Sequence, residues 1–161
     1  MNFRKAYSVA GVVLLCELFL QFYFAAAGIF TIVAQIDSTS ANVIKTAVND
    51  SEPFLTAHAI NGTFVIPVTI LVLVGLSFGS RFPRRTKWLT GALFGLIVIQ
   101  VVLAGFGHGG IALVAGLHGV NALLLVGLAI YLTFTNWAYR QQPAVVGQSV
   151  TAELAGPPTK T

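Results

Sequence analysis

Ile111-Ala-Leu-Val-Ala-Gly-Leu-His118-Gly-Val-Asn121-Ala-Leu-Leu-Leu-Val-Gly-Leu-Ala-Ile-Tyr-Leu-Thr133 carries no formal charge. It is long enough for a membrane-spanning helix, which needs about 20 apolar residues. Its polar interruptions are His118 and Asn121. Three further apolar runs, Tyr7–Val33, Phe54–Phe78 and Trp88–Phe106, are near or above the same length. Composition agrees, because 56% of the 161 residues are hydrophobic and 9% are charged, where a soluble domain carries about 25% charge. The expected fold is an all-α membrane protein, a four-transmembrane-helix bundle spanning residues 1–140. The polar, proline-bearing segment 141–161 is expected to be a disordered cytoplasmic tail.

The first run resembles a signal peptide, with Arg4 and Lys5 before it and Ala25-Ala26-Ala27 within it. It is longer than the roughly 7–15 residues of a signal-peptide core, so it reads as an uncleaved first span. Basic residues mark the cytoplasmic side. Arg4, Lys5, Arg81, Arg84, Arg85, Lys87, Arg140 and Lys160 share one face of a four-span chain, and only Lys45 lies on the other. The chain is therefore expected N-in and C-in in a bacterial inner membrane. The net charge of +4 is topological and does not imply nucleic acid. Trp88, Trp137 and Tyr139 fall at the inner boundary, as an aromatic belt would. The outer links are expected to be a polar loop over Ala34–Pro53 and a tight glycine-rich turn, Gly107-His108-Gly109-Gly110.

Histidines inside apolar spans are costly and mark functional sites by default. His58-Ala-Ile-Asn61-Gly62 and His118-Gly-Val-Asn121-Ala122 repeat one pattern sixty residues apart. Gln21-Phe-Tyr-Phe-Ala-Ala-Ala-Gly28 and Gln100-Val-Val-Leu-Ala-Gly105 echo each other in the outward spans. Together they suggest two hairpins related by a pseudo-two-fold axis along the membrane normal. Spans two and four would then face each other, with both imidazoles at similar depth in the outer half.

Two imidazoles make a six-coordinate, low-spin haem iron suited to electron transfer. His58 and His118 are accordingly candidate axial ligands of one haem b. Without a Cys-x-x-Cys-His motif the haem would be held non-covalently. Gly62, Gly116 and Gly119 would let a flat macrocycle approach the backbone. Asn61 and Asn121 lie on the same helix face as each histidine, where they would orient ligands, bridge helices or bond a propionate. Each imidazole would donate its second N–H to an acceptor, for which the asparagine side chains, Gln100 or a freed carbonyl are candidates. Pro67 is expected to free the carbonyl of Thr63. The competing reading makes both histidines interhelical hydrogen-bond partners in a cofactor-free accessory subunit.

Leu96-Ile-Val-Ile-Gln100-Val-Val-Leu-Ala-Gly105, followed by His118-Gly-Val-Asn-Ala-Leu-Leu-Leu-Val-Gly127, resembles one half of a haem A synthase. The resemblance covers residues 54–135. That family has two four-helix halves, each with a haem-ligating histidine in its second and fourth spans. The resemblance implies that His58 and His118 are the corresponding ligands. This chain departs from the family in having one four-helix unit. It also lacks the family's glutamate close to the span-two histidine, since Glu52 precedes the span. The chain is similar, too, to small uncharacterised four-span bacterial proteins. A homodimer would restore the eight-helix arrangement, and a larger respiratory or biogenesis complex is the other expected partner.

Glu17 is the sole carboxylate expected within a span, with Gln21 one turn on. It reads as a proton relay, as part of a quinone pocket, or as a group bonded to a neighbouring helix. Cys16 reads as a small packing residue and His108 as a solvated turn residue. Asp37, Asp50 and Glu52 suggest an acidic outer loop.

Overall fold

The computed structural model describes residues 2–108 and 110–138, excepting the side chains of residues 108 and 112. The tail 141–161, Tyr139 and the His108 side chain lie outside the described residues. Four helices are long and apolar enough to cross a membrane: Phe3–Val33, Ala41–Gly79, Arg84–Gly107 and Leu113–Thr135. By element the order is α1 (Phe3–Val33), α2 (Ala41–Ile60), a single π-helical turn (Asn61–Val65), α3 (Ile66–Gly79), α4 (Arg84–His108) and α5 (Ala112–Thr135). The π turn joins α2 and α3 into one continuous second span.

The spans form a ring. α1 packs on α2 and α3, α3 on α4, α4 on α5, and α5 returns to α1. No sustained packing joins α2 to α5 among the described residues. Spans two and four therefore stand diagonally opposite. The interior is apolar, built from Leu14, Leu18, Ile66, Ile70, Leu73, Leu93, Ile97, Leu125 and Leu132. Large apolar side chains such as Phe19, Phe30, Phe64, Leu113 and Leu123 point outward, as lipid-facing residues do when the solvent is itself apolar.

The buried positions carry the internal two-fold. In spans one and three the inward residues match at a separation of seventy-nine: Leu14 with Leu93, Leu18 with Ile97, Gln21 with Gln100. In spans two and four Asn61 matches Asn121 at sixty, but Ile66 matches Leu125, Ile70 matches Ala129 and Leu73 matches Leu132 at fifty-nine. One extra residue has entered span two, and the π turn absorbs it. Pro67 explains why it settles there. Proline lacks an N–H, and its ring crowds the carbonyl four residues back. A widened turn just before it relieves that crowding, and such π bulges recur at functional sites.

The outer link differs from expectation. Ala34–Pro53 is not a polar loop, because α2 begins at Ala41 and contains Pro53. Ala47 and Ser51 are buried in it, and Gly28 of α1 leaves no room for a methyl group beside Leu55. The segment packs on α1 through small residues, while Val43, Ile44 and Val48 are exposed. The second span's helix has 39 residues, about 58 Å at ~1.5 Å per residue, against a hydrocarbon core of about 30 Å. The α1–α2 hairpin thus projects well beyond the α4–α5 hairpin, whose turn is closed by Gly110 in a left-handed conformation (φ 81°).

Candidate functional site

His58 lies in the last turn of α2 and His118 in the second turn of α5. Their rings meet across the diagonal, with centroids 6.5 Å apart and planes tilted by 57°. Both are half-buried. Each ring is tied to the glutamine of its own hairpin. His58 Nδ1 is 3.1 Å from the Gln21 carbonyl, and His118 Nδ1 is 3.2 Å from the Gln100 carbonyl. A carbonyl only accepts, so each Nδ1 carries the hydrogen, and in the neutral ring Nε2 is then the acceptor. An Nδ1–H to carbonyl bond of this kind orients metal-binding histidines.

The asparagines complete two matching networks. Asn61 Nδ2 donates to the Glu17 carbonyl at 3.1 Å and to Gln21 Oε1 at 2.8 Å. Asn121 Nδ2 donates to the Leu96 carbonyl at 2.9 Å and to Gln100 Oε1 at 2.6 Å. Of the three roles open to them in the sequence, both asparagines bridge helices. The glutamine amides then part company. Gln21 Nε2 donates to the His58 carbonyl at 2.9 Å, whereas Gln100 Nε2 lies 3.1 Å from His118 Nε2. Interhelical bonds inside a membrane average about 0.6 kcal/mol, with a maximum near 1.7. Asn61→Ala and Asn121→Ala each remove two and orphan a glutamine oxygen. Each is expected to destabilise the bundle by about 1–2 kcal/mol, read from unfolding in mixed micelles.

A cavity of about 390 Å³ lies between α2 and the α4–α5 hairpin. Both histidines, Gln21, Gln100, Gly62 and Thr63 line it together with apolar side chains such as Leu55 and Leu103. This volume falls in the usual range of about 300–1,000 Å³ for ligand pockets. Gly62 borders the cavity, and a methyl group there would sit 2.5 Å from Gln21 Nε2. Gly116 and Gly119 do not line it. Both are exposed on α5, and a methyl group on either would meet nothing within 4 Å. His108 is the last residue of α4.

Gln21 was recognisable in sequence as part of an internal echo and as a neighbour of Glu17, not as a partner of His58. The structure makes it the partner of His58, the role expected of Gln100 toward His118. The signal lay in the repeat, since each echoing glutamine belongs to a hairpin bearing one His-x-x-Asn. Glu17 is bonded to a neighbouring helix. Thr69 Oγ1 donates to its Oε1 at 2.8 Å, while Oε2 is buried without a partner among the described residues. Cys16 is exposed on the lipid-facing side of α1 rather than packed inside.

Fold and site together define a multi-pass, four-helix membrane bundle with an internal two-fold and a paired-histidine cavity. A family model described as a family of unknown function, DUF6220, matches residues 46–107. That stretch includes His58, Asn61 and Gln100. No curated protein and no solved structure matches the chain.

Proposed function

We propose that the chain is a b-type cytochrome-like membrane protein that holds one haem b between His58 and His118. Its role on this reading is one-electron transfer, or haem handling beside a respiratory or biogenesis complex. The observation that carries the reading is the spacing of the imidazoles. Metal–nitrogen bonds of about 2 Å on opposite sides of one metal put two imidazole centroids about 6 Å apart, and these lie 6.5 Å apart. The ring tautomers support it, since carbonyls engage both Nδ1 atoms and make each Nε2 an acceptor, the one on His118 taking the Gln100 amide. The donor set favours a macrocycle over a bare ion. Among the described residues no cluster of three or more His, Cys, Asp or Glu is present. A tetrapyrrole brings its own four nitrogens and asks the protein for two. Among the described residues α2 and α5 share no sustained packing, and a macrocycle edge could reach lipid between them. Bound there, haem would supply a reversible one-electron couple. The residues of this chain orient the ligands, shield them from water and provide an apolar wall.

A reduced-minus-oxidised absorbance scan of protein purified from haem-replete cells tests the proposal. A bis-imidazole α-band supports it, and a colourless protein refutes it. The rival reading, a cofactor-free accessory subunit, draws on the fact that each ring is already bonded to a neighbouring helix. It predicts the colourless outcome together with co-purifying membrane partners.

On the same reading both termini are cytoplasmic in a bacterial inner membrane, and the histidines lie toward the outer face. In a Cys16→Ser background, Thr39→Cys is expected to react with an impermeant maleimide in intact cells. Arg85→Cys is expected to react only after lysis. The reverse pattern inverts the topology.

A further inference from the structure

A second hollow, a groove of about 720 Å³, runs along the seam of α1 and α3. Asn2 and Lys5 stand at one end of it and Thr69 at the other. The walls between are apolar, chiefly Val9, Val13, Val68 and Val72, and all four valines are exposed. The Thr69 hydroxyl donates to Glu17 Oε1 at 2.8 Å, so its hydrogen is spent away from the groove. From Asn2 to Val13 the groove follows α1 for about 16 Å at ~1.5 Å per residue. That is about half of a hydrocarbon core of about 30 Å. The groove is as long as one leaflet is thick.

Its mouth lies at the basic end of the bundle. Arg4 Nε donates to the Ser80 carbonyl at 3.4 Å, and its guanidinium lies 5.3 Å from the Phe82 ring centroid. These contacts tie the start of α1 to the link that carries Arg81, Arg84, Arg85 and Lys87. Among the described residues, this end holds no Asp or Glu. The first turn of α1 holds no acid either, so the positive end of its dipole adds to the charge. We propose that the groove binds one anionic glycerophospholipid of the leaflet that meets the basic end. One acyl chain lies along the valines, and the phosphate sits at the mouth beside Lys5 and Asn2. Basic pockets between membrane helices select anionic head groups in this way. A second copy of the chain is the poorer occupant, because in the same membrane orientation it would set a second basic end against the first. Nothing in this site depends on haem.

Native mass spectrometry of the full chain in detergent tests the site, with dioleoyl phosphatidylglycerol and dioleoyl phosphatidylcholine titrated separately. The two lipids share their chains and differ in net charge. One phosphatidylglycerol is expected to bind in preference to phosphatidylcholine. Lys5→Gln should weaken phosphatidylglycerol about fivefold, the attraction of one basic residue for an anionic surface, and leave phosphatidylcholine unchanged. Arg85 does not line the groove, and Arg85→Gln should change either lipid by less than about twofold. Val9→Trp should fill the groove and weaken both lipids. It is expected to fold, because Trp88 stands seventy-nine residues on, at the equivalent place of span three, and is itself exposed. Val72→Tyr blocks the same groove should that variant fail to fold, after Tyr131 at the equivalent place of span four. Equal binding of the two lipids overturns the anionic head group. Equal losses in Lys5→Gln and Arg85→Gln overturn the site in favour of a general basic surface. Undiminished binding in the folded groove-filling variant overturns the groove, and a dimer that the same variant dissociates gives it to a second copy instead.

Discussion

His58→Ala and His118→Ala are each expected to abolish the bis-imidazole spectrum and to lower haem retention at least about 100-fold. Altering only a partner that orients a ligand typically costs 10–100-fold, and removing the ligand should cost no less. Among the described residues each ring is the one imidazole that lines the cavity from its hairpin, and the neighbouring cavity-lining polar side chains, Gln21, Gln100 and Thr63, are weak ligands for iron. The bundle itself should survive. Each ring contributes an Nδ1–H bond to a carbonyl and His118 also accepts from the Gln100 amide, each bond worth about 0.6 kcal/mol in a membrane interior, and the apolar core is untouched. Both variants are therefore expected to remain monodisperse by size exclusion while losing absorbance. Unchanged spectra in both would remove the imidazoles from the site altogether.

The spans and the diagonal meeting of the histidines were legible because a membrane simplifies the problem. Backbone polar groups must be satisfied within each segment, so apolar runs become helices. Four helices in sequential contact leave spans two and four opposite each other. Depth then follows from counting residues. What escaped was local. Ala41–Pro53 read as a loop because its polar residues and Pro53 are turn signals, and its stripe of Val43, Ile44, Ala47 and Val48 is too short to stand out beside a true span. The π turn was invisible because the His-x-x-Asn repeat sits just before it, at a separation of sixty. The change to fifty-nine shows only when buried residues are paired. Pro67 pointed to the place but only as a freed carbonyl. The glycines misled for another reason. A glycine in an apolar helix looks the same whether it faces a side chain, a cavity or lipid. Gly62 sits against an amide, while Gly116 and Gly119 face open space.

That ambiguity gives the second large effect, a pair of leucine substitutions expected to diverge sharply. A methyl group at Gly11 would lie 2.6 Å from Thr133 Oγ1 and 3.3 Å from Thr133 Cβ. Thr133 is 3% exposed, and its Cβ moves only with the backbone. Gly11→Leu must therefore push α1 from α5, and overpacking of this sort costs typically 1–3 kcal/mol, occasionally more. A loss of about 3 kcal/mol is expected, because a whole leucine has to be placed where one methyl group already collides. A methyl group at Gly91 meets nothing within 4 Å, and the residue is exposed on α4. Gly91→Leu should be neutral or stabilising by up to about 1 kcal/mol, since leucine is the better helix former. Unfolding of both variants in mixed micelles gives the comparison. The outcome at Gly91 also bears on assembly. Gly91 and Gly95 stand four apart on an uncovered face, the spacing that lets two helices approach closely in a membrane. Were Gly91→Leu as damaging in native membranes as Gly11→Leu, yet harmless in dilute micelles, that face would have to be covered in the bilayer by another helix. Equal tolerance in both media would leave it facing lipid.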